Sequence, residues 1–144
     1  MKTTASHRLT AFILGMAFSF AAATSVSWAA GSSVGAVTTV QPSATIAPAG
    51  KPPAVVTLNS GVSMADIVRT DVNGFVKIEF KDGSMLTVNP GSQLTIDEYV
   101  YDSSTNAGTL VMSVGSGVDR FVSGKMKKED IKIKTMTATM GLRG

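Results

Sequence analysis

Asp97, Glu98 and Asp102 form the densest carboxylate group in the chain, within Leu94-Thr-Ile-Asp-Glu-Tyr-Val-Tyr-Asp102. Two acids held across a bond can act as general acid and base, and clustered carboxylate oxygens can hold calcium. Neither chemistry suits this spacing. Neighbours on an extended strand face opposite sides, so Asp97 and Glu98 are expected to diverge, and the calcium-loop pattern of acids around a central glycine is missing. Solvated strand-end charges are the expectation, in place of a carboxylate glycosidase. Tyr99 and Tyr101, two apart, share one strand face, which suits an aromatic platform for a glycan or partner or, more ordinarily, cross-strand packing. Lys125, Lys127 and Lys128, followed by Lys132 and Lys134, make a basic patch interrupted by Glu129 and Asp130. Such a patch could meet an anionic envelope surface such as lipopolysaccharide or peptidoglycan, and its plainer use is a sheet edge kept soluble by lysines. The two tyrosines and five lysines are the candidate interaction surface. Met64, Met85, Met112, Met126, Met136 and Met140 could offer thioethers to copper(I), but they stand singly among apolar strand positions, as core fillers do.

What is missing excludes more. There is no cysteine, and the single histidine, His7, lies in a segment expected to be removed. Ser-His-Asp and Cys-His catalysis, thiolate or imidazole zinc sites, redox dithiols and disulfide staples are therefore excluded from the mature protein. A non-enzyme without cofactor or metal is the expectation.

The removed segment has three parts. Lys2 and Arg8 open it without any acid, Leu9 to Ala23 runs uncharged and mostly apolar, and Ser27 and Ala29 place small residues at the −3 and −1 positions of a cut after Ala29. This is the pattern of a secretory signal peptide over 1–29. Left uncut, the 22 residues from Leu9 to Ala30 would be long enough to anchor in a bilayer, the one membrane contact the sequence suggests. Removing Lys2 and Arg8 leaves 11 basic residues against 10 acidic ones. A nearly neutral domain lacks the positive field of a nucleic-acid binder, and the signal pattern makes the periplasm or the outside of the cell the expected location.

These side chains have to be positioned by strands. Residues 30–53 hold four of the five prolines and read as a flexible lead-in, with one possible edge strand at 34–40. From Ala54 the period becomes two. Val76, Ile78 and Phe80 alternate with Lys77, Glu79 and Lys81, then Asp82-Gly83 supplies a tight hairpin turn, and Leu86 and Val88 resume the apolar side. Leu94/Ile96, Leu110/Met112/Val114 and Ile131/Ile133 repeat the pattern. Short strands with turn signals every 8 to 12 residues predict one all-β domain over 54–144, a twisted sandwich or jelly roll, with a β-solenoid as the alternative.

The ordered set Asp66-Ile-Val-Arg-Thr70, Asn73-Gly74, Asp82-Gly83-Ser84, Leu94 to Tyr101, Gly124-Lys125 and Thr135 to Gly144 resembles a FecR domain, from about residue 35 onward. Met136 stands where that pattern usually has proline, and the threonine expected after Gly144 is not in the sequence. The family takes its name from a membrane regulator that senses an outer-membrane iron-siderophore receptor and signals to a sigma factor. What the resemblance implies here is the periplasmic β-module alone: a protein-interaction or sensing domain of the bacterial cell envelope, with an unidentified envelope protein as partner. A carbohydrate-binding or envelope-structural domain, holding peptidoglycan or another envelope glycan, is the alternative. The matching arginine, Arg143, is expected to serve the fold.

Overall fold

A computed structural model of the chain describes residues 32–117, 119–136 and 139–142. The signal peptide expected at 1–29 and the structural role expected of Arg143 fall outside those residues. Among the described residues twelve strands follow one another: β1 (Gly35–Gln41), β2 (Ala44–Ala47), β3 (Ala54–Val55), β4 (Gly61–Val62), β5 (Ile67–Thr70), β6 (Phe75–Phe80), β7 (Met85–Val88), β8 (Gln93–Asp102), β9 (Ala107–Ser116), β10 (Asp119–Val122), β11 (Ile131–Thr135) and β12 (Thr139–Gly141). They form a five-stranded sheet, β10-β7-β6-β1-β4, and a seven-stranded sheet, β12-β11-β9-β8-β5-β2-β3. The sheets do not close into a barrel, and no strand stacks on the next as a solenoid coil would; the architecture is a sandwich.

Period-two patterning explains the layering. Val76, Ile78, Phe80, Leu86, Val88, Leu94, Ile96, Leu110, Met112 and Ile131 are all buried in one cluster, with Val114 and Ile133 partly buried against it. Each strand sends alternate side chains to one face, and neither sheet can bury that face without the other. All pairings are antiparallel except β9 with β11. A parallel pair needs a crossover, which β10 and the 3-10 turn Lys128–Asp130 supply by way of the opposite sheet.

Three expectations are corrected. Residues 34–40 belong to no edge: β1 lies between β6 and β4, β2 lies between β5 and β3, and Val34, Val37, Ala44 and Ile46 are core. The prolines that made 30–53 read as a loose lead-in all fall between strands, where they cost no ladder hydrogen bond. The β6–β7 connection is a four-residue loop, Lys81–Ser84, with Gly83 N–H donating to Phe80 O at 2.9 Å and Phe80 N–H to Ser84 O at 2.9 Å. Gly83 alone takes a positive φ, 79°, so Asp82 is freed from the left-handed role a two-residue turn would give it. Finally, β8 bulges between Ile96 and Glu98, so Asp97 and Glu98 are both exposed instead of diverging, and Ile96 and Tyr99 both point inward although three residues apart.

Candidate functional site

The bulge decides the fate of the tyrosines. It carries Tyr99 into the core at 7 % exposure, where its ring stacks on Phe80 with centroids 5.4 Å apart. Tyr101, half-buried at the core margin, donates its hydroxyl to Asn106 Oδ1 at 2.8 Å. An exposed platform made of both rings is therefore corrected to one buried and one marginal tyrosine.

The Tyr99 hydroxyl reaches a buried polar network that the sequence did not reveal. It accepts the Asp82 backbone N–H at 3.0 Å and donates to Asp82 Oδ1 at 3.2 Å. Burial, with the Asp82 carboxyl beside it, pushes the Tyr99 hydroxyl well above the usual phenol range. Asp82 is fully buried. Its Oδ1 also accepts the Ser84 N–H at 3.2 Å and its Oδ2 the Ser84 hydroxyl, which in turn accepts the Gly124 N–H at 2.9 Å. Lys125 N–H donates to Asp82 O at 2.8 Å. A Cβ on Gly124 would collide with the backbone of Asp82, Gly83 and Ser84, so only glycine lets the 123–126 loop lie on the β6–β7 hairpin. The residues Asp82-Gly83-Ser84 and Gly124-Lys125 thus meet as one clamp. Nothing in their spacing marks the pairing, because the two pieces are forty residues apart.

The lysines divide. Lys125, Lys127 and Lys128 are exposed on the loop that Met126, 2 % exposed, pins into the core. Lys132 and Lys134 lie exposed on the outward face of β11, and Lys134 Nζ stands 4.0 Å from Asp97 Oδ2. That carboxylate also accepts the Ser113 hydroxyl at 2.5 Å. Asp102 is fully solvent-exposed, its carboxyl held below the usual range by the Ser104 hydroxyl and N–H. Among the described residues no three acids or other ligating side chains gather to hold a metal.

A concavity of about 740 Å³ opens between the two short edge strands β3 and β4. Ile46, Pro48, Lys51, Val55, Met64 and Asp66 line it, and Val55 is 76 % exposed. Asp66, 4 % exposed at its floor, accepts the Ser63 N–H at 2.8 Å; burial raises its carboxyl above the usual range, against the pull of that hydrogen bond and of Lys51. No sequence motif announced this groove, whose lining residues all lie between Ile46 and Asp66.

No curated protein and no solved structure gives a significant match to this chain. A family model does match, that of the FecR protein, over residues 66–144. The match takes in β5 to β12 and both halves of the Asp82–Gly124 clamp, so the residues that lock the hairpin to the loop lie inside the recognisable pattern. Since the match covers more than half of the chain, this protein belongs to the FecR family.

Proposed function

We propose that the protein is an exported, non-enzymatic interaction or sensing module of the bacterial cell envelope. The observation that carries this reading is the fate of the polar side chains inside the family match: Asp82, Ser84 and Tyr99 are taken up by the internal clamp, and their hydrogen-bonding capacity holds the fold. What is left for function is surface, including the β3–β4 groove and the exposed lysines. FecR membership favours an envelope setting, and no helix among the described residues is long and apolar enough to cross a membrane.

In-cell photocrosslinking from Val55, in the groove, and from Lys127, on the loop, tests it. The expected result is one specific envelope protein captured repeatedly from at least one position; repeated capture of nothing specific refutes the reading. Glycan binding keeps the lysines but loses the paired tyrosine platform. Cosedimentation with purified peptidoglycan and lipopolysaccharide separates the two, since a protein-interaction module is not retained. Export has its own check: the mature protein should begin at Ala30 or within two residues of it by mass, and an intact Met1 in the membrane fraction would refute cleavage.

A further inference from the structure

Among the described residues β10 is a free edge of the five-stranded sheet, four residues long and without proline. The hairpin beside it fixes which of its main-chain groups are open. Phe80 N–H donates to Ser84 O, so β6 and β7 exchange hydrogen bonds at the Ile78–Leu86 and Val76–Val88 pairs. The main-chain groups of Met85 and Thr87 therefore point the other way, to Val122 and Arg120 of β10. By the same alternation the N–H and C=O of Asp119 and Phe121 point out of the sheet. Side chains alternate as well: Phe121 packs against the core, while Arg120 and Val122 stand exposed on the outer face. Beside this edge, between the sheets, lies an apolar space of about 250 Å³. Leu86 and Phe121 wall it from one sheet, and Met112, Ile133 and Met140 from the other, at the side of the sandwich between the edge strands β10 and β12. On the outer face Arg120 lies in register with Thr87 and, beyond it, Lys77, so its row offers a hydroxyl and a second cation but no carboxylate.

We propose that β10 takes on an extended peptide of a partner protein as a further antiparallel strand, with an acidic residue opposite Arg120 and an apolar residue opposite Phe121. Main-chain hydrogen bonds to Asp119 and Phe121 hold the peptide, and the space between the sheets receives the side chain that follows Phe121 inward. The acid is the cross-strand partner that the row of Arg120 lacks. A second copy of this chain is the wrong occupant, because the outward side chains of β10 are Arg120 and Val122, and neither is an acid. The other free edges are shorter, two residues each in β3 and β4 and three in β12. The proposal rests on the reading of the protein as an interaction module and gives that module a surface and a partner chemistry. β10 and β4 are opposite edges of one sheet, so this strand site is separate from the β3–β4 groove.

Nitrogen-15 NMR of the purified protein, titrated to millimolar concentration with the end-blocked peptide Ser-Val-Ile-Glu-Thr-Ser, tests the assignment. In the antiparallel register its valine stands opposite Val122, its isoleucine opposite Phe121 and its glutamate opposite Arg120. The Asp119 and Phe121 amides should shift saturably, and their hydrogen exchange should slow. Exchanging the peptide's glutamate for lysine should weaken binding about fivefold, and exchanging its isoleucine for asparagine about tenfold or more. Arg120→Glu, a change at an exposed side chain, should reverse the preference between the glutamate and lysine peptides. The proposal is overturned if the peptide leaves those two amides unmoved, or if the glutamate and lysine peptides bind the unmodified protein equally. Sedimentation showing a dimer whose Phe121 N–H is protected before any peptide is added would overturn it too. Failure of capture from Val55 and Lys127 in cells, with peptide binding intact, refutes the envelope partner and not this edge; capture without peptide binding does the reverse.

Discussion

Replacing Gly124 by alanine adds one methyl group at the point where the 123–126 loop crosses the β6–β7 hairpin. That methyl would fall far inside van der Waals contact with Asp82 O, Ser84 N and Gly83 C, all main-chain atoms that no rotamer change can move aside. The loop has to lift, and the Gly124–Ser84 and Lys125–Asp82 hydrogen bonds go with it. Two hydrogen bonds at about 1 kcal/mol each, with about 1.5 kcal/mol of overpacking, are offset by about 0.5 kcal/mol from a stiffer unfolded chain, leaving a loss of about 3 kcal/mol. At about 4 °C per kcal/mol for a domain of this size, the midpoint should fall by about 12 °C. Gly83→Ala is the control. Its φ of 79° imposes left-handed strain of about 1 kcal/mol, but the added methyl meets nothing within 4 Å, so a fall of about 4 °C is expected. Thermal melts followed by circular dichroism compare the two directly. A Gly124→Ala loss no larger than that of Gly83→Ala would mean that the loop does not rest on the hairpin, and the clamp would have to be abandoned.

Phe80→Asp places an acid between the sheets against Tyr99 and should cost about 4 kcal/mol or more, enough to unfold the domain, whereas Lys77→Asp on the outer face should be nearly neutral; urea melts giving equal losses would refute the β6 register. Tyr99→Phe strands the Asp82 N–H and should cost about 2 kcal/mol, while Tyr101→Phe, whose hydroxyl bond is exposed, should stay within about 0.5 kcal/mol in the same melts. Because burial raises the Asp66 carboxyl, the unfolded chain releases that proton first as pH rises above 3.8, and this group's contribution to stability is lost through that range. Asp66→Asn should therefore cost more at pH 4 than at pH 7, and a cost that grows with pH would reverse the assigned direction.

Where side chains alternate cleanly, the layering was legible: Val76/Ile78/Phe80 and Leu86/Val88 can bury one face only if they form strands, and they do. The β8 bulge was not legible. One extra residue leaves no trace in composition, yet it reverses the direction of every later side chain on that strand, which is how Tyr99 moved from a surface platform into the core. The prolines of 42–53 misled for a related reason, since proline density reports where ladders are interrupted and says little about whether the strands between the interruptions are central. The clamp depends on contact between segments forty residues apart, and the groove on how the short edge strands β3 and β4 are placed, neither of which period and composition encode.

The FecR match begins at Asp66, but the folding unit does not. β1 and β2 supply an inner strand to each sheet, and Val37, Ala44, Ile46, Val56 and Val62 belong to the common core. A fragment expressed from the match boundary would lose all five side chains and bare the long flank of β6 and that of β5, two unprotected hydrogen-bonding edges per molecule. Such a fragment should self-associate and go to inclusion bodies, so the useful expression boundary lies some thirty residues before the point where the family first becomes recognisable, ahead of Val34.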